Sequence, residues 1–155
     1  MEYKVETKEL GDQGVVCTRL KTALSKIDKD IGRSFEAIYG YADKAGLRPV
    51  GPPFILYYDT EMKEDDVDME VCAPVIGEAS GEGDVTHRVQ PGGKFLSTVH
   101  TGPYKKIGAA YEAVMSHARD NSIELTVPSR EVYLTDPNQV KSPAENVTEV
   151  LIPYE

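Results

Sequence analysis

At 155 residues the chain has the length of one domain, enough to bury about two-thirds of the surface that its unfolded form exposes. Hydrophobic residues make up 40% of the chain and charged residues 28%, a balance that excludes a disordered chain. The net charge of −9 argues against a nucleic-acid partner, because binding to the phosphate backbone needs clustered Lys and Arg.

The first half of the chain, about residues 1–76, reads as two strands, a helix and two more strands. Its strand segments are 3–10, 15–20, 54–59 and 68–75. The turn composition of residues 11–14 predicts that the first two of these strands form a hairpin. Apolar residues recur every three or four positions from Ile27 to Ala42, which predicts an amphipathic helix that Gly46 ends.

The second half, about residues 84–155, repeats that order after a link that contains three glycines. Its strand segments are 85–90, 94–100, 129–136 and 147–154. The sequence Pro91-Gly92-Gly93 is a strong turn signal and predicts a second hairpin. A helix is predicted from residues 102–104 to Asn121, because a proline suits the first turn and an apolar stripe follows it.

The two halves are related by an internal repeat. Residues 31–38 resemble residues 107–114, a shift of 107 − 31 = 76 positions. The repeat predicts an α+β fold of two duplicated β-β-α-β-β modules, related by a pseudo-two-fold axis and sharing one antiparallel sheet. Residues 1–155 are expected to form a single domain, since a half of about 75 residues would be marginal alone. The seam between such halves is a common place for a ligand pocket.

The familiar kinds of reactive site are not indicated. Cys17 and Cys72 are flanked by apolar strand residues and belong to no Cys-x-x-Cys pair, so we expect them to be buried packing residues. His87, His100 and His117 lack the spacing of metal ligands. We therefore expect no metal ion and no cofactor. The sequence contains neither a nucleophile elbow nor a glycine-rich phosphate loop.

The sequence contains no signal for a membrane or for export. Its apolar runs fall well short of the ~20 residues that a spanning helix needs, and residues 1–4 are polar, unlike a signal peptide. We therefore expect a cytoplasmic protein without a membrane partner. Open strand edges at the ends of the predicted sheet would suit pairing in a homodimer.

An acidic run follows the third predicted strand. Its members are Glu61, Glu64, Asp65, Asp66, Asp68 and Glu70. A solvated loop is the expected structure, since a calcium loop would need a glycine at its bend and none lies between Asp59 and Glu70. A surface that contacts a protein partner is the alternative.

Glu131 is the centre of the functional hypothesis. Counted back from the Asp that ends each strand, it takes the position that Phe54 has in the first copy. Side chains alternate along a strand, so Glu131, Tyr133 and Thr135 are expected to share one face. The apolar Val132 and its neighbour Leu134 would then point toward the helices, and Glu131 would point away from them.

Two interpretations of Glu131 remain open from the residues alone. In one, it faces solvent and pairs with Arg130 or a nearby Lys. In the other, it lies in a half-dry pocket, where a carboxylate attracts organic cations and each well-placed ring adds about 0.5–2 kcal/mol of cation–π attraction. Partial burial would also raise its pKa and suit it to acid–base catalysis. Tyrosine supplies nine of the twelve aromatic residues, and its amphipathic ring suits the wall of such a pocket.

Six motifs occur together in an order typical of one known family. They are residues 51–54, 57–59 and 70–75 in the first half, and 100–111, 131–137 and 148–153 in the second. On these residues the chain resembles the GyrI-like small-molecule-binding family, also known as the effector-binding domain of bacterial transcription activators. The resemblance covers essentially the whole chain. It implies two SHS2-type modules forming one curved antiparallel sheet, with helices on one face and a central pocket whose floor glutamate matches Glu131.

The resemblance implies binding of hydrophobic, often cationic, small molecules. The residues then expected to contact the ligand are Glu131, Tyr133, Tyr111, Tyr104, Phe54, Leu56 and Tyr57. Some stand-alone members are hydrolases that open cyclopropane rings, and for that activity Glu131 and Tyr111 would be catalytic. Others inhibit DNA gyrase, which would require a protein partner.

Two features of the chain bear on these alternatives. It contains no recognisable DNA-binding region, so direct contact with nucleic acid is not expected. Its lack of Trp leaves an aromatic catalytic role to Tyr111 or Tyr133. Ligand binding is the favoured hypothesis, with hydrolysis and interaction with a protein as the alternatives.

Overall fold

The computed structural model describes residues 3–59, 64–136 and 139–155. Within them, nine strands belong to one antiparallel sheet that curls into a half-barrel, which confirms the predicted α+β fold. The strands are β1 (Glu6–Leu10), β2 (Gln13–Thr22), β3 (Arg48–Pro49), β4 (Phe54–Tyr57), β5 (Val67–Ile76), β6 (Thr86–Gln90), β7 (Gly93–Thr101), β8 (Ser129–Tyr133) and β9 (Val147–Tyr154). The helices are α1 (Ile27–Ala45) and α2 (Gly108–Asp120), with short 3₁₀ turns at Tyr104–Lys106 and Pro143–Glu145.

The strands pair in an order that the turn signals do not predict. Across the sheet the order is β1-β7-β9-β8-β4-β5-β2-β6, with β3 beside β5. Thus β1 pairs with β7 and β6 pairs with β2. The hairpins predicted at residues 11–14 and 91–93 are therefore wrong, because the strands on either side of each turn pair with strands of the other half. Each half of the chain supplies an edge strand to the other.

Two short links, residues 11–12 and 91–92, lie side by side where the halves exchange strands. The backbone N–H of Gly92 donates a hydrogen bond to Asp12 Oδ1 at 2.8 Å. A Cβ atom on Gly92 would lie 2.0 Å from the carbonyl oxygen of Leu10, so only glycine fits there. Strands β1 and β2 are joined by two residues, Gly11 and Asp12, yet stand six places apart in the strand order. The sheet must therefore curl back on itself at this end.

Both helices pack on one face of the sheet, which we call the helix face. Ile38 of α1 and Val71 of β5 belong to the apolar core under the first helix. Val114 of α2 and Leu96 of β7 belong to the core under the second. All four side chains are fully buried. Burial of an aliphatic side chain of this size stabilises a fold by about 1.5–3 kcal/mol, so the apolar stripes of the helices account for their docking.

The opposite face of the sheet, the helix-free face, carries a third buried group. Its members are Val15, Cys17, Phe54, Leu56 and Cys72. These side chains alternate with those that the helices cover, so they point away from both helices. The curl of the sheet and long side chains such as Tyr58 and Arg88 bury them instead.

The helix ends follow local backbone chemistry. Helix α1 ends as predicted at Gly46, which adopts a left-handed φ of 74°. Helix α2 begins later than predicted, because Pro103 is extended and the next residues form a 3₁₀ turn closed by the bond from Ile107 N–H to Tyr104. Neither helix that the structure describes is both long and apolar enough to span a membrane.

The acidic run is only partly the loop that its composition predicts. Glu61 lies outside the described residues, and Glu64, Asp65 and Asp66 are exposed. Asp68 and Glu70, however, belong to β5, where Arg19 pairs with Asp68 and Arg88 pairs with Glu70. The exposed acidic surface is therefore smaller than the sequence indicates.

Candidate functional site

Strand β8 places Glu131 at the middle of the sheet, where the two halves meet. Glu131 stands opposite Ile55 of β4 and Val150 of β9. Ile55 and Val150 both belong to cores that pack against the helices. Residues directly opposite each other in a sheet share a face, so Glu131 lies on the helix face. The expectation that it points away from the helices is wrong, and Val132 is the residue that lies on the helix-free face.

The register also corrects the residue that Glu131 replaces in the first copy. Glu131 and Ile55 differ by 131 − 55 = 76 positions, the shift that relates the two helices. Tyr133 and Tyr57 differ by the same number, 133 − 57 = 76. Phe54 instead corresponds to Arg130, which like Phe54 lies on the helix-free face. An isoleucine of one half is thus replaced by a carboxylate in the other.

Two tyrosine hydroxyls donate hydrogen bonds to the Glu131 carboxylate. Tyr111 of α2 donates to Oε2 at 2.6 Å, and Tyr133 donates to Oε1 at 3.0 Å. The Tyr57 hydroxyl is close to that of Tyr133. The Tyr104 ring meets the Tyr133 ring edge to face, with 5.7 Å between centroids. We call these five residues the Glu131 cluster.

The electrostatics of the cluster are those of a desolvated anion. Burial raises the pKa of Glu131, and the hydrogen bonds from Tyr111 and Tyr133 oppose only part of that rise. Burial, together with the nearby carboxylate, also raises the pKa of both tyrosines, which keeps them as neutral donors. Among the residues that the structure describes, Glu131 forms no ion pair with a Lys or Arg. Pairing with Arg130 is precluded, because that neighbour points to the other face.

The structure brings together four of the six residues predicted to accompany Glu131. Tyr57, Tyr104, Tyr111 and Tyr133 lie in the cluster, whereas Phe54 and Leu56 lie on the helix-free face. Thr135 follows β8 and is bound near Val147 rather than beside Glu131.

Two further residues near the cluster, Thr148 and His100, were not predicted from the sequence to lie there. Thr148 stands opposite both Tyr133 and His100, and its fully buried hydroxyl has no hydrogen-bond partner among the residues that the structure describes. His100 lies near enough to Glu131 that a positive charge on its ring would lower the pKa of that carboxyl group. The alternation of Thr148 with buried residues along β9 is the one signal that points to its inward orientation.

Two surface cavities lie away from the cluster. The larger, about 580 Å³, is polar and opens beside the start of α1. Its neighbour, about 370 Å³, shares Lys21, Asp30 and Arg33 with it. Neither is lined by a residue of the Glu131 cluster. The chemistry of the two sites differs accordingly, since these cavities combine both signs of charge at the surface while the cluster holds one desolvated carboxylate.

Sequence comparison identifies a family for the whole chain. A family model described as the GyrI-like small molecule binding domain matches residues 1–155. A search of curated proteins found no match.

Comparison with solved structures agrees with the fold. The EcmrR C-terminal domain is 30% identical with a TM-score of 0.86, and the match covers 100% of this chain and 99% of that domain. EcmrR in a complex with DNA is 29% identical with a TM-score of 0.87 over 99% of this chain, which spans 57% of that longer chain. SAV2435 bound to tetraphenylphosphonium has a TM-score of 0.63 at 14% identity, covering 100% of this chain and 94% of that one.

Proposed function

This chain belongs to the GyrI-like small-molecule-binding family, and from that premise we propose that it binds lipophilic organic cations in the cytoplasm, with Glu131 as their anionic partner. One observation carries the proposal. Glu131 is a desolvated carboxylate whose hydrogen-bond partners in the described part of the chain are tyrosine hydroxyls. The Glu131 side chain is half-buried, an anion partly withdrawn from water without a cation beside it is costly, and a bound cation would offset that cost.

The walls of the cluster favour a cation whose charge is spread over an apolar surface. The faces of Tyr57, Tyr104, Tyr111 and Tyr133 are each able to add about 0.5–2 kcal/mol of cation–π attraction. A compact ammonium ion is strongly hydrated and loses more on leaving water than a large, weakly hydrated cation does. The similar fold of SAV2435, solved with tetraphenylphosphonium, supports the same ligand class by analogy.

Tyr111 is the residue that a ligand would have to move. Its hydroxyl holds Glu131 Oε2, and its helix lies over this part of the sheet. A cation that approaches the carboxylate from the helix side would replace this hydrogen bond with a charge–charge contact. The bond from Tyr133, which comes from the same strand as Glu131, would be kept and would hold the carboxylate in place.

The proposal is tested by Glu131→Gln, which keeps the shape of the side chain and removes its charge. We expect tetraphenylphosphonium to bind the variant about tenfold or more weakly than the wild type, since truncating one partner of a buried charge pair costs at least that much. Triphenylphosphine oxide, a neutral compound of similar shape, is expected to bind both proteins equally. Isothermal titration calorimetry at constant salt measures both affinities.

Glu112→Gln is the matched control, because Glu112 is exposed on the same helix as Tyr111. It changes the net charge by the same amount and is expected to leave both affinities unchanged. Equal binding of the cation to wild type and Glu131→Gln would refute the role of Glu131. Mass spectrometry of the bound compound separates binding from hydrolysis, because a gain of the mass of water with the wild type alone would indicate the alternative in which Glu131 and Tyr111 are catalytic.

The affinity for the cation is expected to depend on pH through Glu131. The carboxylate form attracts the cation, and burial raises the pKa at which that form appears. Binding is therefore full above the raised pKa and falls by about tenfold per pH unit below it. Affinities measured by calorimetry from pH 8 downward should begin to fall at a higher pH than an ordinary Glu would allow. A flat profile down to the usual range of a glutamate would contradict the burial of this charge.

A further inference from the structure

Cys17 and Cys72, far apart in sequence, stand directly opposite each other on β2 and β5 of the helix-free face. Glu70 lies two residues before Cys72 on the same strand and therefore on the same face. Both cysteines are fully buried, and Glu70 is 6% exposed. One donor atom from each residue lies within 4.8 Å of the other two. We propose that Cys17, Glu70 and Cys72 form a binding site for one thiophilic divalent metal ion, of which Zn²⁺ is the type.

The donor set fits that class of ion. Thiolate sulfur selects soft and borderline metals over Mg²⁺ and Ca²⁺, which prefer oxygen ligands. Two thiolates and one carboxylate are ligands that Zn²⁺ accepts, and three protein ligands leave the fourth tetrahedral position for a small anion or water. On binding, each cysteine becomes a thiolate ligand and its proton passes to solvent, so no oxidant or reductant is needed.

The carboxylate of Glu70 is held in position by groups around it. Tyr58 donates a hydrogen bond to Glu70 Oε1 at 2.7 Å, and Arg88 Nη2 donates to the same oxygen at 2.6 Å. Both of these donors bind Oε1, and the further hydrogen bond that Glu70 accepts comes from Cys17, whose thiol would lose its proton on binding the ion. Carboxylates that ligate metals are oriented in this way by outer hydrogen bonds. Arg88 and Tyr58 lie at the rim of the face and are partly exposed, so movement of their side chains would admit an ion.

The local charge also suits a metal with anionic ligands. Arg130 is 7% exposed, and its Nε atom has no hydrogen-bond partner within the described part of the protein. Its guanidinium lies 4.7 Å from the ring centre of Phe54, which stands opposite Cys72. Two thiolates and a carboxylate carry three negative charges, one more than a divalent ion balances. Arg88 and Arg130 supply positive charge for that excess and for an anionic fourth ligand.

Sequence spacing does not indicate this site, because Cys17 lies on β2 whereas Glu70 and Cys72 lie on β5. The cysteines are 72 − 17 = 55 residues apart, so neither belongs to a short motif. Only the register of β2 with β5 places them side by side. The expectation of no metal site rested on the spacing of possible ligands along the sequence. The metal-site proposal does not depend on the function proposed for Glu131.

Titration of the reduced, metal-free protein with Co²⁺ tests the proposal. The two cysteines are the only thiols of the chain, so a thiolate-to-cobalt charge-transfer band must report on them. We expect one Co²⁺ per chain with this band, and its displacement by one equivalent of Zn²⁺. Cys17→Ala and Cys72→Ala should each weaken Co²⁺ binding about 100-fold or more, and Glu70→Gln about tenfold or more, since even outer-shell changes cost 10–100-fold.

Matched controls separate this site from adventitious binding. Glu149→Gln removes another carboxylate of the helix-free face, and Glu131→Gln removes a carboxylate of the helix face. Both variants should bind Co²⁺ with the affinity of the wild type. Far-ultraviolet circular dichroism establishes that each variant is folded. If a cysteine variant does not fold, a second measurement on the wild type takes the place of that variant. One equivalent of Zn²⁺ should then protect the two thiols from alkylation. Absence of a thiolate band, lack of thiol protection, or unchanged Co²⁺ affinity in folded cysteine variants would overturn the proposal.

Discussion

Replacing Arg88 with methionine is expected to destabilise the protein by about 3–5 kcal/mol, as the loss of one partner of a buried ion pair does. Arg88 Nη2 donates to Glu70 Oε1 at 2.6 Å, and the side chains are 28% and 8% exposed. Without the guanidinium, Glu70 keeps its burial but loses its cationic partner. Urea unfolding at pH 7 measures the free energy, with an unchanged m-value as the check that the two-state transition is preserved.

Two further variants isolate the buried charge as the cause. In Arg88→Met/Glu70→Gln no charge is left unpaired, so most of the lost stability should return. Lys44→Met removes the exposed pair with Glu82, whose side chains are 71% and 57% exposed, and should cost less than about 1 kcal/mol. If the double variant is as unstable as Arg88→Met, the loss comes from packing rather than from the uncompensated carboxylate.

The effect of Arg88→Met should also depend on pH in a defined direction. Burial acts to raise the pKa of Glu70, but hydrogen bonds from Arg88, Tyr58 and Cys17 outweigh it and hold the pKa below 4.5. A lowered folded-state pKa contributes stability above the unfolded pKa and loses it as the pH falls through the folded pKa. The difference between wild type and Arg88→Met is therefore largest near neutrality. It should shrink as the pH falls through the pKa of Glu70 in the variant, which is higher because Arg88 is gone, and disappear below the lowered pKa of the wild type.

Gly92→Ala is expected to cost about 3 kcal/mol or more, at the upper end of overpacking effects. The new Cβ would lie 2.0 Å from the carbonyl oxygen of Leu10 and 2.5 Å from the carbonyl carbon of Gly11. Both atoms are backbone, so neither can turn aside as a flexible side chain would. The backbones of residues 10–12 and 91–92 would have to separate, which would also strain the bond from Gly92 N–H to Asp12.

Gly40→Ala is the matched control for that substitution. Gly40 is exposed on α1, and a Cβ there would have no neighbour within 4 Å. The change should stabilise the helix by about 0.5–1 kcal/mol, because alanine loses less backbone entropy on folding. Thermal and urea unfolding of both variants measure the two effects. A Gly92→Ala variant as stable as wild type would contradict the close approach of the Gly92 backbone to Leu10 and Gly11.

Local sequence patterns predicted where the helices and strands lie better than they predicted which strands pair with each other. The apolar period and Gly46 located α1, and β9 lies where the sequence places it. The Pro91-Gly92-Gly93 signal marks only a two-residue break between β6 and β7, and no turn lies there, because β6 and β7 continue in one register along β2 and β1. A turn signal describes only the chain around it, whereas the pairing of β1 with β7 depends on a competition among strands 80 or more residues apart. The local composition of residues 11–14 and 91–93 therefore carries no information about which strands pair.

The orientation of Glu131 shows a second limit of sequence reasoning. Alternation predicted correctly that Glu131 and Tyr133 share a face, but not which face. Both faces of β8 are at least partly covered, one on the side of the helices and the other, where Val132 lies, by the apolar group of the helix-free face. An apolar residue therefore does not identify the helix side. The pairing of Glu131 with Ile55 resolves the ambiguity, and it is a long-range property of the sheet.

The exchange of edge strands has a consequence for synthesis of the chain. Strand β1 leaves the ribosome before its partner β7, which begins at Gly93, 93 − 10 = 83 residues after the end of β1. Such distant pairing is slow to form, since a long loop must close before any contact is gained. During synthesis β1 thus stays without this partner until more than 80 further residues have been made. Cleavage in the link between Ile76 and Thr86 would leave two fragments, each lacking a border strand that the other carries, so that only their reassociation restores a complete domain.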